Sequence, residues 1–253
     1  MILSKVALPK EHGSWGFVLE PLILSLFVAF TLDGLLLALA TFFMFLTSQP
    51  LKVITTNSAS KKFKTAARVV LLFYLFITII LLIYLIFNIS FYSLIPFYFA
   101  VLILLIYKYA EFNNFGRNLF IEIFPIFSMT FIATTIVIID ESFGFSPFVF
   151  SLLLLSRAVP TVFYINAKVK WIKGLKFSPL PTHLLNSGFL LFIIYAGFNN
   201  LLPMLSILGM VLLTTRSIVG FSKFNFTKSV KQIGVVEFIY GGLFVVINII
   251  AFF

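Results

Sequence analysis

The chain has 253 residues, 61% of them hydrophobic and only 10% charged, far above the roughly 45–50% apolar content of soluble domains, which excludes a soluble globule. Lys and Arg outnumber Asp and Glu by 18 to 8, giving a net charge of +10; the basic residues sit in short links between apolar runs, so they mark membrane topology and exclude a nucleic-acid partner. With no cysteine there is no disulfide, thiolate metal site or cysteine nucleophile, and two histidines, His12 and His183, leave little for a histidine metal centre.

At about 20 apolar residues per crossing, nine spans are predicted, at residues 14–32, 34–54, 69–88, 91–107, 118–139, 146–167, 183–198, 200–220 and 232–252. Lys5, Lys10 and Glu11 precede the first span, which has no small-residue cleavage pattern and is followed at once by another. It reads as an anchor rather than a removable signal. The fold class is therefore an all-α polytopic bundle of about nine transmembrane helices, one domain over residues 1–253. The longest polar connection, 55–68, is too short to fold alone.

Charge orders the links. The N-terminal segment carries Lys5 and Lys10, the second-to-third link Lys52, Lys61, Lys62, Lys64 and Arg68, and the fourth-to-fifth Lys108 and Arg117. The sixth-to-seventh link carries Lys168, Lys170, Lys173 and Lys176, and the eighth-to-ninth Lys223, Lys228 and Lys231. Odd-numbered links hold only Asp33, Asp140 and Glu141. The positive-inside rule then predicts a cytoplasmic N-terminus and an external C-terminus.

The sixth span carries the costliest residue. Arg157, Thr161, Tyr164 and Lys168 fall on one helical face. An arginine at that depth costs roughly 2.5–3.5 kcal/mol on insertion scales, so it pairs inside a bundle or lines a cavity. Glu20, Glu122, Arg216 and Glu237 are also intramembrane; Gly234 and Gly241 flank Glu237 at helical spacing, and Gly209 and Gly220 flank Arg216. Two readings stay open: structural ion pairs that neutralise the two arginines, or one polar cavity that opens to the cytoplasm and holds a ligand. Lys61, Lys62 and Lys64 read as topology signals and headgroup contacts, whereas Lys52 and Lys168 stand at helix ends where they could reach a ligand. Trp15 and Trp171 read as interfacial anchors.

The run Leu8-Pro9-Lys10-Glu11-His12-Gly13-Ser14-Trp15-Gly16, followed by Glu20-Pro21-Leu22, resembles the signature of the YwiC-like family of bacterial integral membrane proteins. Ser156-Arg157-Ala158, Tyr164 and the basic exit of that helix resemble the family's central region. The resemblance implies a bacterial cytoplasmic-membrane protein. A more distant similarity is to the UbiA superfamily of intramembrane prenyltransferases, which share nine helices, a cytoplasmic N-terminus and an active mouth built from the second-to-third and sixth-to-seventh links. That similarity implies magnesium held by aspartate-rich motifs, yet neither link here contains an aspartate or glutamate. Fixed cations in their place suit direct binding of an anionic headgroup without a metal or cofactor.

The functional expectation is a cytoplasm-facing pocket for an anionic amphipathic molecule of isoprenoid or quinone type, surrounded by membrane lipids. Arg157, Arg216, Lys52 and Lys168 would hold phosphate, Lys10 or His12 would cap the pocket, and Glu20, Glu122 or Glu237 would orient an acceptor or take its proton, with Tyr164 on the same wall. Prenyl transfer is one outcome. The alternative is a transporter or non-catalytic accessory protein whose buried charges form a substrate or proton path.

Overall fold

The computed structural model describes residues 6–9, 12–56, 60–112, 119–222 and 229–253. Lys5, Lys10, Glu11, Arg117, Lys223, Lys228 and the side chain of His12 lie outside what is described. The described residues form helices throughout: α1 His12–Val28, α2 Leu32–Leu46, α3 Ser48–Thr55, α4 Lys61–Asn88, α5 Ile95–Phe112, α6 Leu119–Ile139, α7 Pro147–Ile172, α8 Leu180–Phe198, α9 Ser206–Gly220 and α10 Val230–Phe252. Leu32–Thr55 acts as one interrupted pass, so these helices match the nine expected crossings; six are long and apolar enough to cross a membrane, and α1 and α9 are shorter apolar helices.

Three boundaries depart from expectation, each for a local reason. The second span breaks at Thr47 because Pro50 has no N–H for the carbonyl of Leu46 and its ring crowds that carbonyl. Thr47 closes α2 with its hydroxyl on the Met44 carbonyl at 2.6 Å, and α3 starts with Pro50 in its first turn. The third helix begins eight residues earlier than its apolar run, at Lys61, so Lys61, Lys62, Lys64 and Arg68 ride on α4 rather than in a link. Long basic side chains allow this, since their stems run along apolar surface while the charged heads reach water. Finally α9 starts at Ser206, after a turn through Asn200 at φ 55°, a left-handed conformation that Asn tolerates well, and Pro203.

Six helices close a ring: α1 packs on α6, α6 on α7, α7 on α8, α8 on α9, α9 on α10, and α10 back on α1. Across the ring α7 also touches α9 and α10. Outside it, α2 packs on α6, α4 on α2 and α3, and α5 on α6. On α4, Leu72, Phe73, Phe76, Ile79, Ile80 and Ile83 are exposed. An apolar face of that size is stable where the solvent is lipid.

The ring is apolar in one half and polar in the other. Leu24, Phe150, Leu153, Met210, Leu213 and Phe244 form a buried core. They come from the C-terminal halves of α1 and α10 and the N-terminal or central parts of α7 and α9. Next to this core on the same four helices come the charges, Glu20 and Arg157 near mid-helix, Glu237 in the N-terminal part of α10 and Arg216 in the C-terminal part of α9. So α1 and α10 run one way, α7 and α9 the other, and the charges meet toward the end where α7 leaves through its lysines.

Candidate functional site

The stripe on α7 is buried along its whole length, with Arg157 5%, Thr161 1%, Tyr164 3% and Lys168 0% exposed. Spacings of four, three and four residues keep all four on the face that α7 turns to α9 and α10. Arg157 reaches α1, where its Nη2 donates to Glu20 Oε1 at 3.2 Å and its Nε lies 3.1 Å from Glu20 Oε2. The Nε contact is an ion pair without an aligned hydrogen bond. Nη2 also donates to the backbone carbonyl of Glu237 at 3.1 Å, and Nη1 donates to Thr161 Oγ1 and stands 3.6 Å from Glu237 Oε2.

Arg216 completes the arrangement from α9. Its Nη1 donates to Glu237 Oε2 and, at 3.3 Å, to Thr161 Oγ1, and its guanidinium carbon lies 4.7 Å from the centre of the Tyr164 ring. Glu237 and Thr161 are thus shared by both arginines, and the quartet Glu20, Arg157, Arg216 and Glu237 sums to zero charge. Neutrality is what a low-dielectric interior demands of buried ions. Three donors and one acceptor nonetheless have no hydrogen-bond partner in it: Arg157 Nε, Arg216 Nε, Arg216 Nη2 and Glu237 Oε1. Such atoms are uncommon in native interiors, because each forfeits its solvation.

Glycines make the close approach possible. A Cβ on Gly241 would lie 1.7 Å from Glu20 Oε1 and 2.7 Å from Arg157 Nη2, so α10 meets the ion pair through its backbone. A Cβ on Gly220 would lie 2.2 Å from the Tyr164 hydroxyl. Both glycines sit one helical turn from a quartet member on the same face, Gly241 after Glu237 and Gly220 after Arg216.

Lys168 has a different environment. Its Nζ donates to the Gly220 carbonyl at the C-terminus of α9 and lies 4.4 Å from the centre of the Trp171 ring. The last carbonyls of a helix carry partial negative charge, and an aromatic face adds to it, so this cation is balanced without a carboxylate. Trp171, Phe177 and Phe221 stack nearly parallel around it, at interplanar angles of 20–26°. Trp171, expected as an interfacial anchor, is part of this stack. Lys168→Met is expected to lower stability by about 1–3 kcal/mol through loss of that cap and ring contact. Lys170→Met, at an exposed position, should stay within about 0.5 kcal/mol; unfolding of the two variants in detergent checks the contrast.

Open space lies on the other side of Arg157. A narrow cleft, with free room of about 20 Å³ inside it, runs between α1, α6, α7 and α10, walled by apolar residues such as Phe17, Leu24, Met129 and Phe244, with Glu20, Arg157 and Thr130 as its polar lining. Arg216, Glu237, Tyr164 and Lys168 stand behind it. The expected single polar chamber is therefore two features, a closed charge quartet and an apolar cleft, joined at Arg157 and Glu20.

Of the residues anticipated from sequence, Glu20, Arg157, Tyr164, Arg216 and Glu237 are brought together, with Lys168 at the end of the same stripe. Glu122 is exposed near the start of α6, and Lys52 is exposed on α3; neither is part of the quartet. Lys10 and the His12 side chain lie outside the described residues. Thr161 was not among the anticipated ligand contacts, although its position one turn after Arg157 on the polar face was the available signal. Phe177 and Phe221 had none, being two of 35 phenylalanines.

No curated protein and no solved structure matches the chain. The YwiC-like protein family matches residues 8–137, slightly more than half of the chain. The matched segment includes the signature around Trp15 and, within the quartet, Glu20. By that match the chain belongs to the YwiC-like family, as the N-terminal signature leads one to expect.

Proposed function

We propose that this YwiC-like membrane protein binds the oxyanion head of an amphipathic molecule at Arg157 and lays its tail along the apolar cleft. The observation that carries this reading is the position of Arg157, which belongs both to the charge quartet and to the cleft wall. A charged head and a long apolar tail need these two environments side by side. An isoprenoid phosphate or diphosphate has that chemistry. The charge order of the links supports a cytoplasmic N-terminus in a bacterial cytoplasmic membrane, with the quartet toward the cytoplasm.

Prenyl transfer of the UbiA type needs magnesium on carboxylates in the links 47–68 and 164–182, and those links contain none. Glu20 and Glu237 are committed to arginines. The residues do not fit the metal, so binding is the activity proposed. A transporter reading has one observation of its own: buried Thr134 and Ser151 share a 2.6 Å hydrogen bond between α6 and α7, one helical turn beyond the cleft residue Thr130.

Geranylgeranyl diphosphate binding to the purified protein, with and without magnesium, tests the proposal. Binding is expected without metal, and Arg157→Lys, which keeps the charge but loses the two-pronged geometry, should weaken it at least about tenfold. Equal binding by wild type and a folded Arg157→Lys protein would remove the site from Arg157. Flux of the same diphosphate into liposomes would favour transport.

A further inference from the structure

Glu20 is the carboxylate of the quartet that faces the cleft. Its side chain is 14% exposed, against 7% for Glu237, and it holds the side of Arg157 that lines the open space. Any oxyanion that reaches Arg157 from the cleft meets the Glu20 carboxylate already in place. We infer that Glu20 is a resident anion, replaced on Arg157 by the ligand's oxyanion and neutralised by one proton from water as the ligand enters. This rests on the binding reading above and adds its coupling.

Charge balance requires the exchange. The empty quartet is neutral; a monoanion added to it would leave a net negative charge among apolar helices, which costs several kcal/mol per uncompensated ion in such surroundings. The charge can be cancelled in place by protonating a carboxylate. Glu237 is held by both arginines, on Oε2, and is the deeper of the two. Glu20 has one partner, Arg157, which the ligand would take over. The charged groups around Glu20 are Arg157 on α7, Glu237 on α10 and, further off, Arg216 on α9. From α6 it meets the cleft side of Thr130, and α2 carries Asp33 at its first turn, by the opposite end of α1. Among the described residues near the quartet, the remaining buried cation, Lys168, is held by the Gly220 carbonyl and does not balance an added anion.

The exchange balances atom for atom. For a ligand head carrying one negative charge, the ion pair of Glu20 carboxylate with Arg157, plus the ligand anion and one proton, gives the ligand anion paired with Arg157 and a neutral Glu20 carboxylic acid. Gly241 leaves the carboxyl no room to retreat toward α10, because its backbone already abuts Oε1. The neutral acid therefore turns into the cleft or stays beside the bound oxyanion as a hydrogen-bond donor.

Decane-1-sulfonate serves as the probe for a tailed anion and methanesulfonate for a free one, both monoanions over the pH range used. Titration calorimetry of the wild-type protein in buffers of different ionisation enthalpy reads the protons taken up. The expected result is uptake approaching one proton per sulfonate, with affinity falling about tenfold per pH unit from about pH 6 to about pH 8. Glu20→Gln should bind the sulfonate roughly tenfold tighter or more, with no proton uptake, because the competing carboxylate is gone. Methanesulfonate behaving like decane-1-sulfonate would assign the site to the anion alone; weaker methanesulfonate binding with the same uptake would assign it to a tailed anion, and both agree with the exchange. Binding that depends on Arg157 but takes up no proton, or that weakens in Glu20→Gln, overturns the exchange while the binding site stands. Failure of both probes to bind wild-type protein overturns the site itself. The wild-type pH series decides the matter even where the Glu20→Gln chain does not fold.

Discussion

Glu237→Ala is expected to destabilise the protein by about 3–5 kcal/mol, the largest effect of any single substitution in the quartet. The carboxylate receives Nη1 of Arg216 and stands 3.6 Å from Nη1 of Arg157. Without it Arg216, 3% exposed, keeps one hydrogen bond, to Thr161 at 3.3 Å, and no counter-ion in contact. The cost is that of an uncompensated buried charge and not the net worth of the pair, so removing both charges should restore most of it. Glu237→Leu combined with Arg216→Met is accordingly expected within about 1 kcal/mol of wild type. Thermal unfolding of the purified variants in one detergent supplies the comparison. A double variant no more stable than Glu237→Ala would mean that the loss comes from packing, and that the quartet is no electrostatic brace.

Gly241→Ala should be the second most disruptive change, at about 2–4 kcal/mol, whereas Gly242→Ala should be neutral or stabilising by up to about 1 kcal/mol. The two glycines are adjacent on α10 and gain the same helix propensity on substitution. They differ in what a methyl group would meet: Glu20 Oε1 at 1.7 Å for Gly241, and nothing within 4 Å for Gly242. A terminal carboxylate moves cheaply when it is free, but this one is pinned by Arg157, so making room at Gly241 means breaking the ion pair. The same detergent unfolding measurement, run on the pair, tests it. Equal effects of the two substitutions would show that Glu20 relaxes without loss, and that the close approach of α10 to Arg157 has no energetic role.

Much of the architecture was legible along the chain, because a membrane imposes strong and local rules. Apolar runs of the right length marked the passes, and the cost of a charge in hydrocarbon marked Arg157, Arg216, Glu20, Glu122 and Glu237 as residues needing a partner, whether one another or a ligand. The polar face of α7 followed from spacing alone, as did the glycines one turn from Glu237 and Arg216. The match to the YwiC-like family agrees with the N-terminal signature. The breaks were harder: hydropathy reads straight through Thr47, where Pro50 ends a helix, and stops short of Lys61, where α4 has already begun.

What the amino-acid order determined by itself was the class of protein, the number of helical segments and the set of charges needing partners, since each follows from transfer of single residues or short segments out of water. Which charge meets which was decided only by the tertiary structure: α1 and α10 are separated by most of the chain, yet closing the ring sets Glu20 and Gly241 against Arg157. Glu122 shows the same point in reverse. It has the composition of a buried partner, but α6 turns it outward. Ion pairing depends on distances of a few ångströms between helices remote in sequence, and no periodicity within one helix encodes them.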